Sequence, residues 1–344
     1  MTRPEQAPGN RAMTGMRRRF WAVLGISLLF LLAALLIAPL IGSSDARLLR
    51  ALAGESPDRE IFFYARLPRV LLAALGGGAL ALAGVIFQAL LRDALATPFT
   101  LGVSSGASLG AVTAICLGWR LIGAFPAVWA TAFAGAALTM FVVVSIASEG
   151  RRMSSFTLLL SGVTINSICM ALILFLHYSA GFAQSFAIVR WLMGGIESLE
   201  YSTLGMLAAG VLAGFGLTLA KANDFNLLAV GEEWAAARGV NLKSLMLFAY
   251  VAGSFLTASV TALTGPIGFI GLIVPHALRL AIGADHRLLI PASFCLGGGF
   301  LVICDTLART VLAPTEIPVG VITAMLGGPF FIWLLRSKRG SLWV

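Results

Sequence analysis

The sequence predicts an all-α protein that threads a membrane about ten times. Three observations carry this. Of the 344 residues 59% are hydrophobic, only 11% are charged, and the apolar residues gather in runs of about 20, the length an α-helix needs to cross a bilayer core. A soluble domain carries about 25% charged residues, so a soluble globule is excluded. The four cysteines, Cys116, Cys169, Cys295 and Cys304, sit inside apolar runs without a CxxC spacing. They read as small core hydrophobes and not as metal ligands or a disulfide framework.

In chain order, residues 1–19 are polar with five arginines and read as a cytoplasmic N-terminal tail. Residues 20–41 then run 22 positions without a charge, too long for a signal-peptide core and long enough to span, so they are expected to be a retained first helix. Further spans are expected near 67–91, 99–117, 121–147, 156–178, 201–220, 245–263, 267–283, 288–309 and 317–335, making one membrane domain over 20–335 with a cytoplasmic tail at 336–344. With the N-terminus inside, 16 basic residues fall on the inner side, counted with the adjoining span ends, and 8 on the outer. That is the positive-inside bias. Acidic residues divide 7 inside and 8 outside, so the whole net charge of +9 lies on the cytoplasmic face. The basic balance is topological and gives no sign of nucleic-acid binding.

Small residues recur at spacings that let helix backbones approach. Gly102, Gly106 and Gly110 are expected to form one such face, Gly210 and Gly214 another, while Gly76 to Gly78 and Gly297 to Gly299 are expected to loosen their helices. Pro275 should kink the eighth span by removing a backbone hydrogen bond. His276 beside it is read as a structural hydrogen-bonding group at the kink or as a gating residue.

Residues 221–243 form the long polar interruption in the second half of the chain. Two short helical pieces are expected, broken at Gly231 and Gly239, the first capped by Asn223 or Asp224 and the second carrying Glu232 and Glu233 in its first turn, where a helix N-terminus favours negative charge. Leu227, Leu228, Trp234 and Ala236 would present an apolar surface outside the membrane, as a docking site for a soluble subunit requires.

No GK dipeptide occurs, hence no GxxxxGK[ST] loop for binding ATP, and His177, His276 and His286 are scattered without zinc spacing. Ionisable residues within spans are few and near the ends: Asp93, Asp305 and Glu316. Asp305 and Arg309, four apart, are expected to pair, which leaves an ion-coupled mechanism short of candidates. Gln88 and Asn166 read as interhelical hydrogen-bonding groups or as pathway lining. Arg66, Arg69 and Arg309 stand against the charge bias, either as snorkelling side chains or as an anion-recognising patch for an acidic partner.

Several ordered motifs then resemble one family. RLPR from Arg66, GGGALALAGVIFQALLRDALATPFTLGVSSGASLGA from Gly76, GEEWAAARGV from Gly231, GPIGFIGLIVPHALR from Gly265, ADHRLLIP from Ala284 and EIPVGVITAMLGGPFFIWLL from Glu316 resemble the permease subunit of bacterial ABC importers for iron-siderophores, haem and cobalamin. The resemblance covers nearly all of the chain after about residue 60. It implies a ten-helix subunit of the cytoplasmic membrane, paired with a second copy or a paralogue around a central path. It further implies two cytoplasmic ATPase subunits, which would hold the ATP and magnesium that this chain does not bind, and an extracytoplasmic binding protein. By the same resemblance, Leu227 to Gly239 correspond to the coupling helices, with Leu227, Leu228, Gly231, Glu232, Glu233 and Gly239 as contacts. Arg66, Arg69 and Arg309 match positions that meet glutamates of the binding protein, and the inner gate falls at Ser154, Ser155 and Phe156, after Arg151 and Arg152. Phe156 departs from the small polar residues expected there. The expected function is uptake of a ferric siderophore or related chelate by alternating access, with Gln88 and Asn166 beside the path. An ion-coupled carrier working without an ATPase is the alternative, and a membrane-embedded enzyme lacks the paired acid, base or metal set that it needs.

Overall fold

The computed structural model describes residues 8–42, 47–122, 125–149 and 152–337. Its helices are α1 (Pro8–Ile37), α2 (Leu48–Ala53), α3 (Asp58–Glu60), α4 (Leu67–Leu91), α5 (Val103–Leu117), α6 (Ala127–Ala147), α7 (Ser155–Ser179), α8 (Phe182–Leu192), α9 (Tyr201–Ala220), α10 (Ala222–Val230), α11 (Glu232–Ala237), α12 (Leu242–Thr264), α13 (Ile270–Ile282), α14 (His286–Thr310) and α15 (Val319–Ser337). Among the described residues, seven apolar helical stretches are long enough to cross a membrane and three more, Val103–Leu117, Ile270–Ile282 and Val319–Trp333, are shorter. Together they reproduce the ten expected spans. Within the described residues the only extended pairings are two-residue ladders, Leu121–Ile122 with Phe125–Pro126 and Ser148–Glu149 with Arg152–Met153.

The architecture is built around α4, which is hydrophobic on every side, as a helix buried by its neighbours must be. About nine-tenths of its span is buried inside the chain, against α1, α9, α12, α13 and α14. At its start, α3 continues through a π-helical turn, Ile61–Arg66, directly into α4. The glycines expected to loosen α4 and α14 do the opposite. A Cβ on Gly77 would collide with the Gly297 carbonyl, and one on Gly297 with Ala81 and Gly77. These glycines permit the tight crossing, because without a hydrophobic drive in lipid helices gain from close backbone approach. On α5 the small-residue face begins at Gly106, which with Gly110 meets α6 at Gly135, Thr131 and Thr139. Gly102 instead precedes the helix with φ 80°, in the left-handed region.

Two features were not given by the sequence. Helix α1 extends back to Pro8, so residues 8–19 of the polar N-terminal segment are helical; residues 1–7, Arg151 and the tail from 338 lie outside the described residues. Residues 182–192, given no element from sequence, form α8.

Candidate functional site

The bundle has two polar ends, and α4 fixes which residues belong to which. Its C-terminal end meets the 221–243 segment through Arg92, whose Nη2 donates to Glu232 Oε1 at 2.9 Å. Arg69, in its first turn, lies at the opposite end, about 33 Å away at 1.5 Å per residue.

At the first end, α9 turns at Lys221 into α10, Gly231 separates α10 from α11, and Gly239 (φ 85°) ends the segment before Asn241 caps α12 by accepting from Ser244 N at 3.1 Å. The breaks at Gly231 and Gly239 are therefore as expected, and Glu232 and Glu233 stand in the first turn of α11. The caps are not. Helix α10 starts at Ala222, ahead of Asn223 and Asp224, without a side-chain cap, and Asp224 pairs with Lys221 Nζ at 3.0 Å. Nor is the whole apolar set outward. Leu228 is 0% exposed, packed inward with Phe225 and Ala222, and Leu227 is half-buried, whereas Val230 and Trp234 (63% exposed) form the outward face. Amphipathic α10 uses its period to attach itself to the bundle, leaving its C-terminal residue and α11 to face away.

A side chain that the sequence reading passed over ties this segment down. Asn226 Nδ2 donates to Asp285 Oδ1 at 2.8 Å, and its Oδ1 accepts from the backbone N–H of His286 at 2.8 Å and lies 2.8 Å from His286 Nδ1. Asp285 is the N-cap of α14 and accepts from Arg287 N at 3.1 Å and from its guanidinium at 2.7 Å. The Arg287 hydrogen bonds, with those of Asn226, hold the Asp285 carboxyl well below the usual range, at about 2. No local signal marks Asn226, because its partners lie about 60 positions away.

Ser154, Ser155 and Phe156 lie at this same end. Ser154 caps α7 by accepting from Thr157 N at 3.3 Å, Ser155 Oγ donates to the Leu90 carbonyl at 3.1 Å, and Phe156 is exposed. Gln88 and Asn166 are not brought to them. Gln88 is buried, and its Nε2 donates to the Gly271 carbonyl at 3.3 Å. That carbonyl sits four residues before Pro275, which has no N–H to give it. Gln88 thus serves as the interhelical donor for the acceptor that Pro275 frees, and its place as path lining is corrected. His276, buried next to Pro275, packs edge-on to Phe331 with ring centroids 6.0 Å apart. Asn166 is half-buried midway along α7, whose outward face carries Val163, Ser167 and Ile168.

At the opposite end Arg66, Arg69 and Arg309 do gather, but not as an exposed patch. Arg66 and Arg309 are only 5% and 4% exposed. Arg66 Nη1 donates to the Pro39 carbonyl at 3.1 Å and Arg309 Nη2 to that of Ala38 at 2.7 Å, which pins the end of α1 to α4 and α14. Arg69 is gripped from two sides: Nε and Nη2 donate to Asp305 at 2.9 to 3.2 Å, and Nη1 donates to both oxygens of Glu316 at 3.0 and 2.9 Å. The expected Asp305–Arg309 pair is secondary at 3.7 Å. Carboxylates on a neighbouring helix and loop satisfy Arg69, because a guanidinium taken out of water needs bidentate partners. Only the Arg69–Glu316 edge reaches a cavity of about 770 Å³, which Trp129, Phe186, Arg190 and Trp191 also line.

The profile of the FecCD transport family matches residues 26–337. The cobalamin import system permease protein BtuC of Halobacterium salinarum is 42% identical over 275 residues, 80% of this chain and 73% of that protein. The hemin transport system permease protein HmuU of Yersinia pestis is 39% identical over 287 residues, 81% of this chain and 84% of its own length. A solved structure described as an inward-facing metal-chelate type ABC transporter superposes with a TM-score of 0.80 at 29% identity, covering 92% of this chain and 99% of that one.

Proposed function

The chain belongs to the FecCD transport family, and from that premise we propose that it is the membrane permease subunit of an ATP-driven importer for a large metal chelate in a bacterial cytoplasmic membrane. Two ATPase subunits dock at the α10–α11 end, a second permease copy or a paralogue completes the path, and a binding protein delivers cargo at the Arg69–Glu316 end. Because relatives are named for cobalamin and hemin, those chelates are the first cargoes to test, ahead of the ferric siderophore.

The observation that carries the reading is the outward apolar face of Val230 and Trp234 on two short helices that the bundle holds outside its spans. A face of that kind, left to water, favours coverage by a soluble partner. Nucleotide-driven closure of the ATPases would push α10 and α11, and the spans would answer by opening the path to one side at a time. No bond chemistry in this chain is needed. The carboxylate of Asp305 is already committed to Arg69, which removes it as a carrier of an ion.

Co-expression with a candidate P-loop ATPase subunit tests the reading. Wild-type protein retains the ATPase through detergent purification, and Trp234→Ala loses it while inserting normally. A chain that purifies alone and transports in liposomes without ATP would overturn the proposal in favour of an ion-coupled carrier.

A further inference from the structure

We propose that Asn226 is the positioning residue that makes α10 move as one body with α14, leaving α11 to swing about Gly231. The proposal rests on the ATPase-coupled reading above and deepens it. Both polar ends of the Asn226 amide are engaged at the start of α14: Nδ2 on the cap carboxylate of Asp285, and Oδ1 on the N–H and Nδ1 of His286, each at 2.8 Å. The His286 ring is 1% exposed and packs on Phe225, also 1% exposed, with centroids 5.8 Å apart. Sliding α10 off α14 would therefore strand a buried imidazole and an orphan helix N–H together, the expensive kind of loss.

The attachment of α11 is of another kind. Its one buried residue is Ala235, and its ion pair, Glu232 with Arg92, joins side chains 35% and 44% exposed, where solvent screens such pairs to little net worth. Between the two helices stands Gly231 at φ 153° and ψ 150°, a conformation that L side chains rarely adopt. A firm anchor, a glycine joint and a weak outer tie make a lever. Its firm side is continuous with α14, His286–Thr310, along which Asp305 and Arg309 lie about 29 and 35 Å from His286 at 1.5 Å per residue.

The test uses the reconstituted complex of this chain with its ATPase and binding protein, and compares Asn226→Asp with the swap Asn226→Asp plus Asp285→Asn. The single variant sets two carboxylates face to face. The swap returns an amide donor from position 285 to a carboxylate at 226, which still accepts from His286. In wild type, amide hydrogen exchange is expected to be slower in 222–230 than in 232–237. In Asn226→Asp the ATPase still co-purifies, exchange in 222–230 accelerates, and chelate moved per ATP hydrolysed falls about fivefold or more, the lower end of coupling between distant sites. The swap restores both quantities. Unchanged transport per ATP in the single variant would overturn the proposal, and so would equal exchange in the two helices of the wild-type complex, a comparison that needs no variant. A wild-type complex with no ATP-dependent uptake would remove the coupling reading itself, an outcome visible before any variant is made.

Discussion

Asp305→Ala tests the account of the charged end. Arg69 places three hydrogen bonds on Asp305, from Nε at 3.1 and 3.2 Å and from Nη2 at 2.9 Å, and the Asp305 side chain is 1% exposed. Truncation leaves the inner edge of Arg69 facing a protein interior, and breaking a buried pair from one side costs about 3 to 5 kcal/mol. Arg69 keeps Glu316, but that carboxylate is half exposed, so Glu316→Gln alone should cost under about 1 kcal/mol. Replacing both members, Arg69→Met with Asp305→Ala, removes the stranded charge and should recover most of the loss. Arg309→Met with Asp305→Ala should recover much less, because Arg309 approaches Asp305 only to 3.7 Å. The assay is SDS-titrated unfolding in mixed micelles, read by tryptophan fluorescence and arranged as double-mutant cycles. A coupling energy as large for 305 with 309 as for 305 with 69, or an Asp305→Ala protein as stable as wild type, would refute the assignment.

Three other perturbations have defined outcomes. Gln88→Leu removes the donor to the Gly271 carbonyl and should destabilise the protein by about 1 to 3 kcal/mol; adding Pro275→Ala supplies the missing N–H and should make the double variant less unstable than Gln88→Leu alone in the same titration. Asp285 titrates near 2 instead of 3.8, so its contribution to stability is complete above 3.8 and drains away as pH falls towards 2. Acid unfolding of Asp285→Asn should therefore show a shallower loss over that window than wild type. Gly77→Val should abolish the α4–α14 crossing and lower the yield of folded protein in size-exclusion chromatography, whereas Gly216→Ala, with open space at its Cβ, should behave as wild type.

The spans were legible because lipid imposes one rule, an apolar run of fixed length, and α4 and α9 fall where that rule puts them. Glycine breaks at 231 and 239 were legible for a local reason, the backbone freedom of that residue. What was not legible is side-chain partnership across the fold. Arg69 finds Asp305 236 positions away and Asn226 finds His286 60 away, while the i, i+4 spacing of Asp305 and Arg309 suggested a nearer pairing that packing relegates to second place. Gln88 shows the same limit in a gentler form: Pro275 announces a carbonyl without its partner, but only the close approach of Gly84 to Gly271 says which helix supplies the donor. Helix α8 was missed because a run of 11 residues is too short for the spanning ruler, although it is apolar enough to line the cavity beside Arg69.

The most direct measurement of the central claim is uptake of labelled cobalamin, hemin and ferric siderophore into proteoliposomes holding this chain with its ATPase, with binding protein outside and nucleotide trapped within. Accumulation of one chelate that requires ATP and survives collapse of the ion gradients is expected. Accumulation without nucleotide that disappears with those gradients would contradict that claim.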